Sequence, residues 1–521
     1  MALALLLLNA LLTLVNPGPT PWPMLTARVA PELCLALGLG ALWMAWRGRL
    51  PLRVFAGATA ALVVVRTIEI TSAALFGRPL HLYWDGRHLG QMLALHATPA
   101  WQIAAGVGTL LLGCLLLYAL ARACWLLVQQ GLSQRLPRRS ALLLSLALLA
   151  LFVAQGRGGP DTDTPHVFAG AVTPIVARQA QLVTALLHDR GSAARLTPSP
   201  AFDTDLAALH GADVLLLFSE SYGVSTLDDA RQAAQLAGPR VALAQAIAAS
   251  GRQVVSARVR SPTYAGGSWR AHGALLAGVD TQDPLDYELL LSTQRRTLVQ
   301  HFAAHGWRTV SWMPGLQRPW PEGQFFGFAR YVDADHMGYA GLPFGPWRIP
   351  DQAAMALLHA QELASPAASR APRFIVFPTV NSHVPFRPIA PFVADWDRLA
   401  GSAPYTVGQR VHALDEPVSL RDPVPAYVQS IAATWQWLGS YLAERAPAQL
   451  LTIVIGDHQA FAGVSGAGAS WDVPVHIISA DAQLLQRFEA LGFTPGLAPQ
   501  GAAMGSMHGL TRTLLAAFAG P

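Results

Sequence analysis

The feature that most constrains this chain is a series of long apolar stretches before residue 156. Hydrophobic residues make up 52% of the 521-residue sequence and charged residues only 13%, a composition that points to membrane spans. A helix needs about 20 apolar residues to cross a bilayer core. The first stretch resembles a cleaved signal peptide in length but lacks a basic leading segment. We therefore predict five membrane helices, near residues 2–15, 29–46, 55–76, 103–121 and 141–154.

Arginine residues predict how these helices are oriented. Residues 1–155 hold 11 Arg against three acidic residues, whereas the remaining residues hold 25 Arg against 28 acidic residues. The segments 47–53 and 134–140 each carry three Arg, and such loops remain on the cytoplasmic side. Five spans then place everything after residue 156 outside the cytoplasm. Because the basic excess belongs to the membrane part, nucleic acid is not expected as a partner.

Two charged residues fall inside the third apolar stretch. Arg66 and Glu69 lie three residues apart, which places them on one face of a helix. Charges at this depth are costly and are usually paired. We expect an ion pair between them that packs the helices, with a lipid-headgroup or gating site as the alternative.

The second part of the chain alternates between buried strands and helices. A Gly/Pro/Asp-rich linker follows the last apolar stretch, and six strand-like segments occupy 212–220, 252–259, 307–313, 373–383, 450–458 and 473–479. Continuous apolar strands separated by helices indicate a mostly parallel sheet covered on both faces. The expected organisation is a transmembrane region at 1–155, a linker and connecting helix at 156–200, and an α/β domain at 201–521.

Polar side chains follow several of these strands. Glu220 ends the first segment, Asp457 and His458 end the segment 450–458, and His383 ends the segment 373–383. Ser268 comes after two glycines at the expected start of a helix. Carboxyl ends of parallel strands meet at one edge of the sheet, so these side chains are expected to lie together. Taken singly, each of these residues has a structural alternative, as a solvated loop residue or as a helix cap.

The residue types at this edge favour metal-assisted phosphoryl transfer. Carboxylate and imidazole ligands suit Zn²⁺ or Mn²⁺, and three protein ligands leave one coordination position open. A serine hydroxyl in that position becomes acidic enough to act as a nucleophile at neutral pH. A helix that begins at Ser268 also offers N–H groups to a phosphate.

Several motifs resemble the sulfatase-like branch of the alkaline phosphatase superfamily, in particular membrane-anchored lipoteichoic acid synthases and phosphoethanolamine transferases. These motifs are "LLLFSESYG", "GGSW", "WPEGQFFGF", "IPDQ", "FPTVNSHVPF" and "IVIGDHQ", which span roughly residues 200 to 500. The resemblance implies an alkaline phosphatase-like fold anchored in a bacterial inner membrane with a periplasmic domain. It also implies a membrane phospholipid as donor and an extracytoplasmic glycan or lipid-linked molecule as acceptor.

The resemblance assigns roles to individual residues. One divalent ion, Zn²⁺ or Mn²⁺, is held by Glu220, Asp457, His458 and the nucleophile Ser268. His383 contacts the head group or the leaving oxygen, and Trp320 lines the phosphate pocket. Further substrate-binding candidates are His272, one helical turn after Ser268, and Arg387.

One departure from the family pattern concerns the phosphate pocket. Lipoteichoic acid synthases carry Arg two residues after the Trp, where this chain has Glu322. An acid there suits a cationic head group such as ethanolamine, whereas a solvated glutamate is the alternative. "SWRAH" also does not fit the sulfatase element that becomes formylglycine. A phosphodiesterase of the same fold and a non-catalytic membrane assembly protein are the remaining alternatives to a transferase.

Overall fold

The computed structural model describes residues 1–16, 22–76, 100–156, 167–188, 195–317, 320–419 and 421–520. The chain divides into two compact units, Met1–Arg190 and Gly191–Pro521. The segment 77–91 between the third and fourth predicted spans, which the five-span arrangement places outside the cytoplasm, lies outside the described residues. So do residues 157–166 of the predicted linker.

The first unit is helical. Three of its helices are long and apolar enough to cross a membrane, Leu52–Ser72, Ala100–Gly131 and Arg135–Gln155. Two further predicted spans form shorter helices of 11 and 17 residues. The number of membrane crossings therefore stays a prediction. The helices of this unit are Ala2–Leu12, Pro31–Arg47, Leu52–Phe76, Ala100–Gly131, Arg135–Gly156 and Thr173–His188.

The two basic segments lie at the same end of this helical unit. Arg138 donates a hydrogen bond from Nη1 to the carbonyl of Met44 at 3.2 Å. The N–H of Leu50 donates to Gln129 Oε1 at 2.8 Å. The predicted orientation requires the two basic segments to lie on one side of the membrane, and their position at one end of the unit agrees with it. The prediction that 134–140 is a loop was wrong, because most of it forms the first turn of the helix Arg135–Gly156.

The predicted pairing of Arg66 with Glu69 was also wrong. Glu69 instead forms an ion pair with Arg178, with 2.5 Å between Arg178 Nη2 and Glu69 Oε1. Arg66 donates to the carbonyls of Leu14 at 2.8 Å and Gly170 at 3.1 Å. Helical spacing made the two charges neighbours, but partners that are distant in sequence compete for both side chains. Both residues therefore join separate segments within this unit.

The second unit contains one mixed sheet. Six strands run in one direction and two, β7 and β8, run against them, in the spatial order β4-β3-β5-β1-β6-β7-β2-β8. The fold class predicted from the sequence is confirmed, and the short strands β4 and β8 are additions. The strands are β1 Val214–Ser219, β2 Gln253–Arg260, β3 Arg308–Trp312, β4 Arg330–Val332, β5 Arg373–Pro378, β6 Leu451–Gly456, β7 Asp472–Ser479 and β8 Thr494–Pro495.

Helices cover both faces of this sheet. Every residue of β1 is buried, and its side chains alternate between two cores, with Leu215 in one and Leu216 in the other. This alternation explains why the strand reads as an unbroken apolar run. The helices are Ser225–Asp228, Ala230–Ala249, Ser268–Ala277, Pro284–Leu291, Leu298–Ala304, Asp351–Leu358, Trp396–Leu399, Val407–Asp415, Val424–Glu444, Ala462–Ser465, Ala482–Ala490 and Met507–Phe518.

Candidate metal centre

Two neighbouring parallel strands deliver the acidic groups of the site. Strands β1 and β6 pair so that Ser219 lies opposite Gly456, and Glu220 and Asp457 are the next residues of each strand. One ligand atom from each of Glu220, Asp457 and His458 lies within 4.8 Å of the other two. All three residues are buried. The sheet edge therefore collects three of the predicted ligands.

The predicted nucleophile lies against the same group. Ser268 is the first residue of the helix Ser268–Ala277, as expected from the sequence. Its Oγ lies 3.2 Å from Glu220 Oε2 and 3.2 Å from His458 Nε2. All four predicted metal-site residues thus meet at one point.

The turn before this helix depends on glycine. Gly267 has φ of +78°, and a Cβ at this position would approach Thr263 Oγ1 and Arg270 Nη2 to 3.0 Å. Such backbone favours glycine, because other side chains clash in the left-handed region. Gly267, the second of the two glycines that marked Ser268 in the sequence, is therefore required to turn the chain into the helix.

Hydrogen bonds orient the ligand atoms. The Nδ1 of His458 lies 2.9 Å from the carbonyl of Gln459, so the neutral ring carries its proton there and presents a lone pair on Nε2. Asp457 Oδ1 accepts the N–H groups of Ser221 at 2.8 Å and His458 at 2.7 Å. The second oxygen, Oδ2, lies 3.6 Å from His458 Nε2. Both side chains are thus held with one ligand atom facing the centre.

The electrostatics of the group fit a cation. Burial, together with the nearby carboxylate of Glu220, raises the pKa of Asp457 to about 6. Burial lowers the pKa of His458, but the carboxylates of Asp457 and Glu220 outweigh it, so the net shift is upward. Two buried acids whose ligand atoms converge repel each other, and a bound cation relieves that repulsion. Two carboxylates, one imidazole and a hydroxyl form a donor set that suits Zn²⁺ or Mn²⁺.

The loop after β5 holds the backbone of Glu220. Thr379 Oγ1 accepts the N–H of Glu220 at 3.0 Å, and the hydroxyl of Ser382 donates to its carbonyl. Ser221 donates to Glu220 Oε1 at 2.8 Å. Thr379 and Ser382 were not predicted from the sequence. Their only signal was the density of hydroxyl groups in "FPTVNSH" after a buried strand.

His272 lies one helical turn after Ser268. Its ring packs on Phe218 with the centroids 4.2 Å apart. Burial lowers the pKa of His272 to about 4, so the ring is neutral at physiological pH. Its Nε2 is buried and has no hydrogen-bond partner among the residues that the structure describes.

The structure places the other predicted substrate-binding residues as follows. His383 packs against Trp347 with ring centroids 4.6 Å apart, and its Nδ1 lies 2.7 Å from the carbonyl of Val384. Trp320 stacks on Phe326 and lines a cavity of about 210 Å³. Arg387 pairs with Glu416 at 2.6 Å, so its guanidinium is already engaged. Their roles toward a substrate stay predictions.

The fold and this arrangement define a class of site, an α/β sheet edge with a candidate metal centre and an adjoining serine. No protein-family model and no curated protein matches the sequence.

Comparison with solved structures finds resemblances at low identity. This chain is similar to an alkaline phosphatase superfamily protein from Vibrio parahaemolyticus, with 16% identity, a TM-score of 0.34 and coverage of 52% of this chain and 60% of the other. It is similar to the lipoteichoic acid synthase LtaP from Listeria monocytogenes, with 11% identity, a TM-score of 0.33 and coverage of 54% and 68%. It is also similar to the phosphoglycerol transferase GacH from Streptococcus pyogenes, with 12% identity, a TM-score of 0.33 and coverage of 58% and 74%.

These names agree with the superfamily resemblance that the sequence motifs predict. The match spans less than two thirds of the Vibrio protein's chain. With identities of 16% or less and TM-scores of 0.34 or less, these likenesses say nothing about the activity of this chain.

Proposed function

We propose that this protein is a metal-dependent transferase that moves a phosphorylated head group, phosphoethanolamine or phosphoglycerol, from a membrane phospholipid to an extracytoplasmic acceptor. The observation that carries the proposal is the position of Ser268, whose Oγ lies 3.2 Å from both Glu220 Oε2 and His458 Nε2. A hydroxyl in contact with the ligand atoms of a candidate metal centre is placed to become a nucleophile.

Glu220, Asp457, His458 and Ser268 are the residues that would hold one Zn²⁺ or Mn²⁺ ion. When bound, such an ion lowers the pKa of the serine hydroxyl and offsets negative charge on the phosphoryl group. Ser268 Oγ would lose its proton to solvent water and attack phosphorus, forming a phospho-serine that joins the serine to the head group. The bond from phosphorus to the diacylglycerol oxygen breaks, and that oxygen takes up a proton, which we assign to His383. In a second step the acceptor hydroxyl gives its proton to His383 and attacks the phospho-serine. The bond from phosphorus to Ser268 Oγ then breaks, and that oxygen takes up a proton from solvent water.

The helix that begins at Ser268 supports binding of the phosphoryl group. Its N-terminus favours an anion, because the first N–H groups of a helix have no partner within it and the helix dipole is positive there. The apolar helices in the same chain support a lipid donor. Three of them are long enough to cross a membrane, so the donor leaflet is available to the tethered unit. The acceptor we propose is a glycan or a lipid-linked molecule outside the inner membrane of a bacterium.

Mass spectrometry of the detergent-purified protein tests this proposal. The protein is incubated with Mn²⁺ or Zn²⁺ and mixed phosphatidylethanolamine and phosphatidylglycerol. A mass adduct on the peptide containing Ser268, together with released diacylglycerol, is the expected result, and the adduct mass names the head group. The Ser268→Ala variant is the control and should give neither signal.

Three other outcomes would change the assignment. Soluble phosphorylated head group released without an acceptor would indicate the phosphodiesterase alternative. Bound metal without adduct or product would favour a non-catalytic membrane assembly protein. Adduct formation that persists in Ser268→Ala would remove this serine from the reaction.

A further inference from the structure

Two adjacent buried side chains hold the loop that follows β5. Asp351 begins the helix Asp351–Leu358 and has no exposed surface. Its Oδ1 accepts the N–H of Val380 at 2.8 Å, and its Oδ2 accepts the N–H of Asn381 at 2.9 Å. Gln352 pairs with the backbone of Val393, donating at 2.7 Å and accepting at 3.1 Å. The first residue therefore fixes the start of the loop and the second fixes its far end.

The start of this loop is also what holds Glu220. Thr379 and Ser382 flank the two residues that Asp351 binds, and they contact the N–H and the carbonyl of Glu220. Asp351 thus holds the two central residues of the segment 379–382, and the two outer residues of the same segment hold the backbone of a candidate metal ligand. His383 is the next residue along the same loop.

We propose that Asp351 is a positioning residue for the metal centre, acting through residues 379–382 on Glu220. This inference rests on the proposed function, because it takes Glu220 as a metal ligand. A carboxylate suits this task better than an amide, because both of its oxygens accept and both face N–H donors. An amide at this position would turn an NH₂ group toward a backbone N–H.

The test is the affinity of the purified full chain for Mn²⁺, measured by calorimetry in Asp351→Asn and the wild type. Groups that orient metal ligands typically change metal affinity by about 10- to 100-fold when replaced. We expect a loss in that range for Asp351→Asn. Ser382→Ala and Thr379→Val, which remove the contacts to Glu220 directly, should lose affinity in the same direction. Ser382→Ala keeps the test decisive if Asp351→Asn fails to fold.

Gln352→Leu is the matched control, because it removes two buried hydrogen bonds from the neighbouring residue at the far end of the loop. We expect its Mn²⁺ affinity to stay within about twofold of the wild type. The double variant Asp351→Asn, Ser382→Ala should lose less Mn²⁺ affinity than the product of the two single fold-losses, because both substitutions act on one loop.

Three results separate this inference from the proposed function. A wild-type protein that binds neither Mn²⁺ nor Zn²⁺ would overturn the metal centre and this inference with it. Normal Mn²⁺ affinity in folded Asp351→Asn, with binding in the wild type, would overturn the positioning role alone. Equal losses in Asp351→Asn and Gln352→Leu would show general loosening of the loop and would also overturn it.

Discussion

Removal of the metal ion by a chelator at pH 8 should destabilise the second unit. At this pH Asp457 is ionised, because pH 8 lies above its raised pKa of about 6, and the neighbouring Glu220 contributes to that raised value. Their ligand atoms lie within 4.8 Å of one another. Two unit charges at that separation repel by about 3.5 kcal/mol at an effective dielectric constant of about 20. A bound divalent ion offsets this repulsion.

The expected change in thermal unfolding follows from this magnitude. A loss of about 3 kcal/mol lowers the Tm of a unit of this size by about 5 °C. The assay is thermal unfolding of the detergent-solubilised chain at pH 8, with saturating Mn²⁺ and then with a chelator in excess. We expect the chelated protein to melt at the lower temperature.

The variant Asp457→Asn makes the test specific to the site. Asparagine retains an oxygen for the N–H groups that Asp457 Oδ1 accepts, but it removes one of the two repelling charges. Metal-free Asp457→Asn should therefore melt above the metal-free wild type, and Mn²⁺ should no longer shift its Tm. The exposed Asp422→Asn should retain the full shift. A wild-type Tm that does not change when the chelator is added would refute the reasoning. So would an Mn²⁺-dependent shift in Tm that persists in Asp457→Asn.

Three further predictions concern the fold of the second unit. Gly456→Ala should prevent normal folding or cost several kcal/mol, because a Cβ there would lie 1.8 Å from the carbonyl oxygen of Tyr222; the yield and Tm of the variant check this. Asp213→Ala should cost about 3–5 kcal/mol in urea unfolding, because it leaves the Arg370 side chain, which is only 7% exposed, without its bidentate partner. Burial lowers the pKa of His476 to about 3, so its contribution to stability is complete above about pH 6.5 and is lost as the pH falls toward 3. His476→Gln should make Tm less sensitive to pH across that window, and an unchanged slope would contradict the assignment.

Much of the site was predictable from local sequence. Glu220, Asp457 and His458 follow buried strands, and Ser268 follows two glycines at a helix start. Apolar runs of this length and composition predict strands covered on both faces, and carboxyl ends of parallel strands share one edge. The sequence by itself therefore determined the fold class and which residue types meet at the sheet edge.

Other features depended on contacts between distant parts of the chain. Strand β1 pairs with β6 although more than 230 residues separate them, and β7 runs against its neighbours. Asp351, Thr379 and Ser382 support Glu220 through hydrogen bonds that no local spacing predicts. Glu69 pairs with Arg178 rather than with its neighbour on the helix. Periodicity reports which face of an element is buried, whereas strand order and the partners of a buried polar group are decided only when the elements pack together.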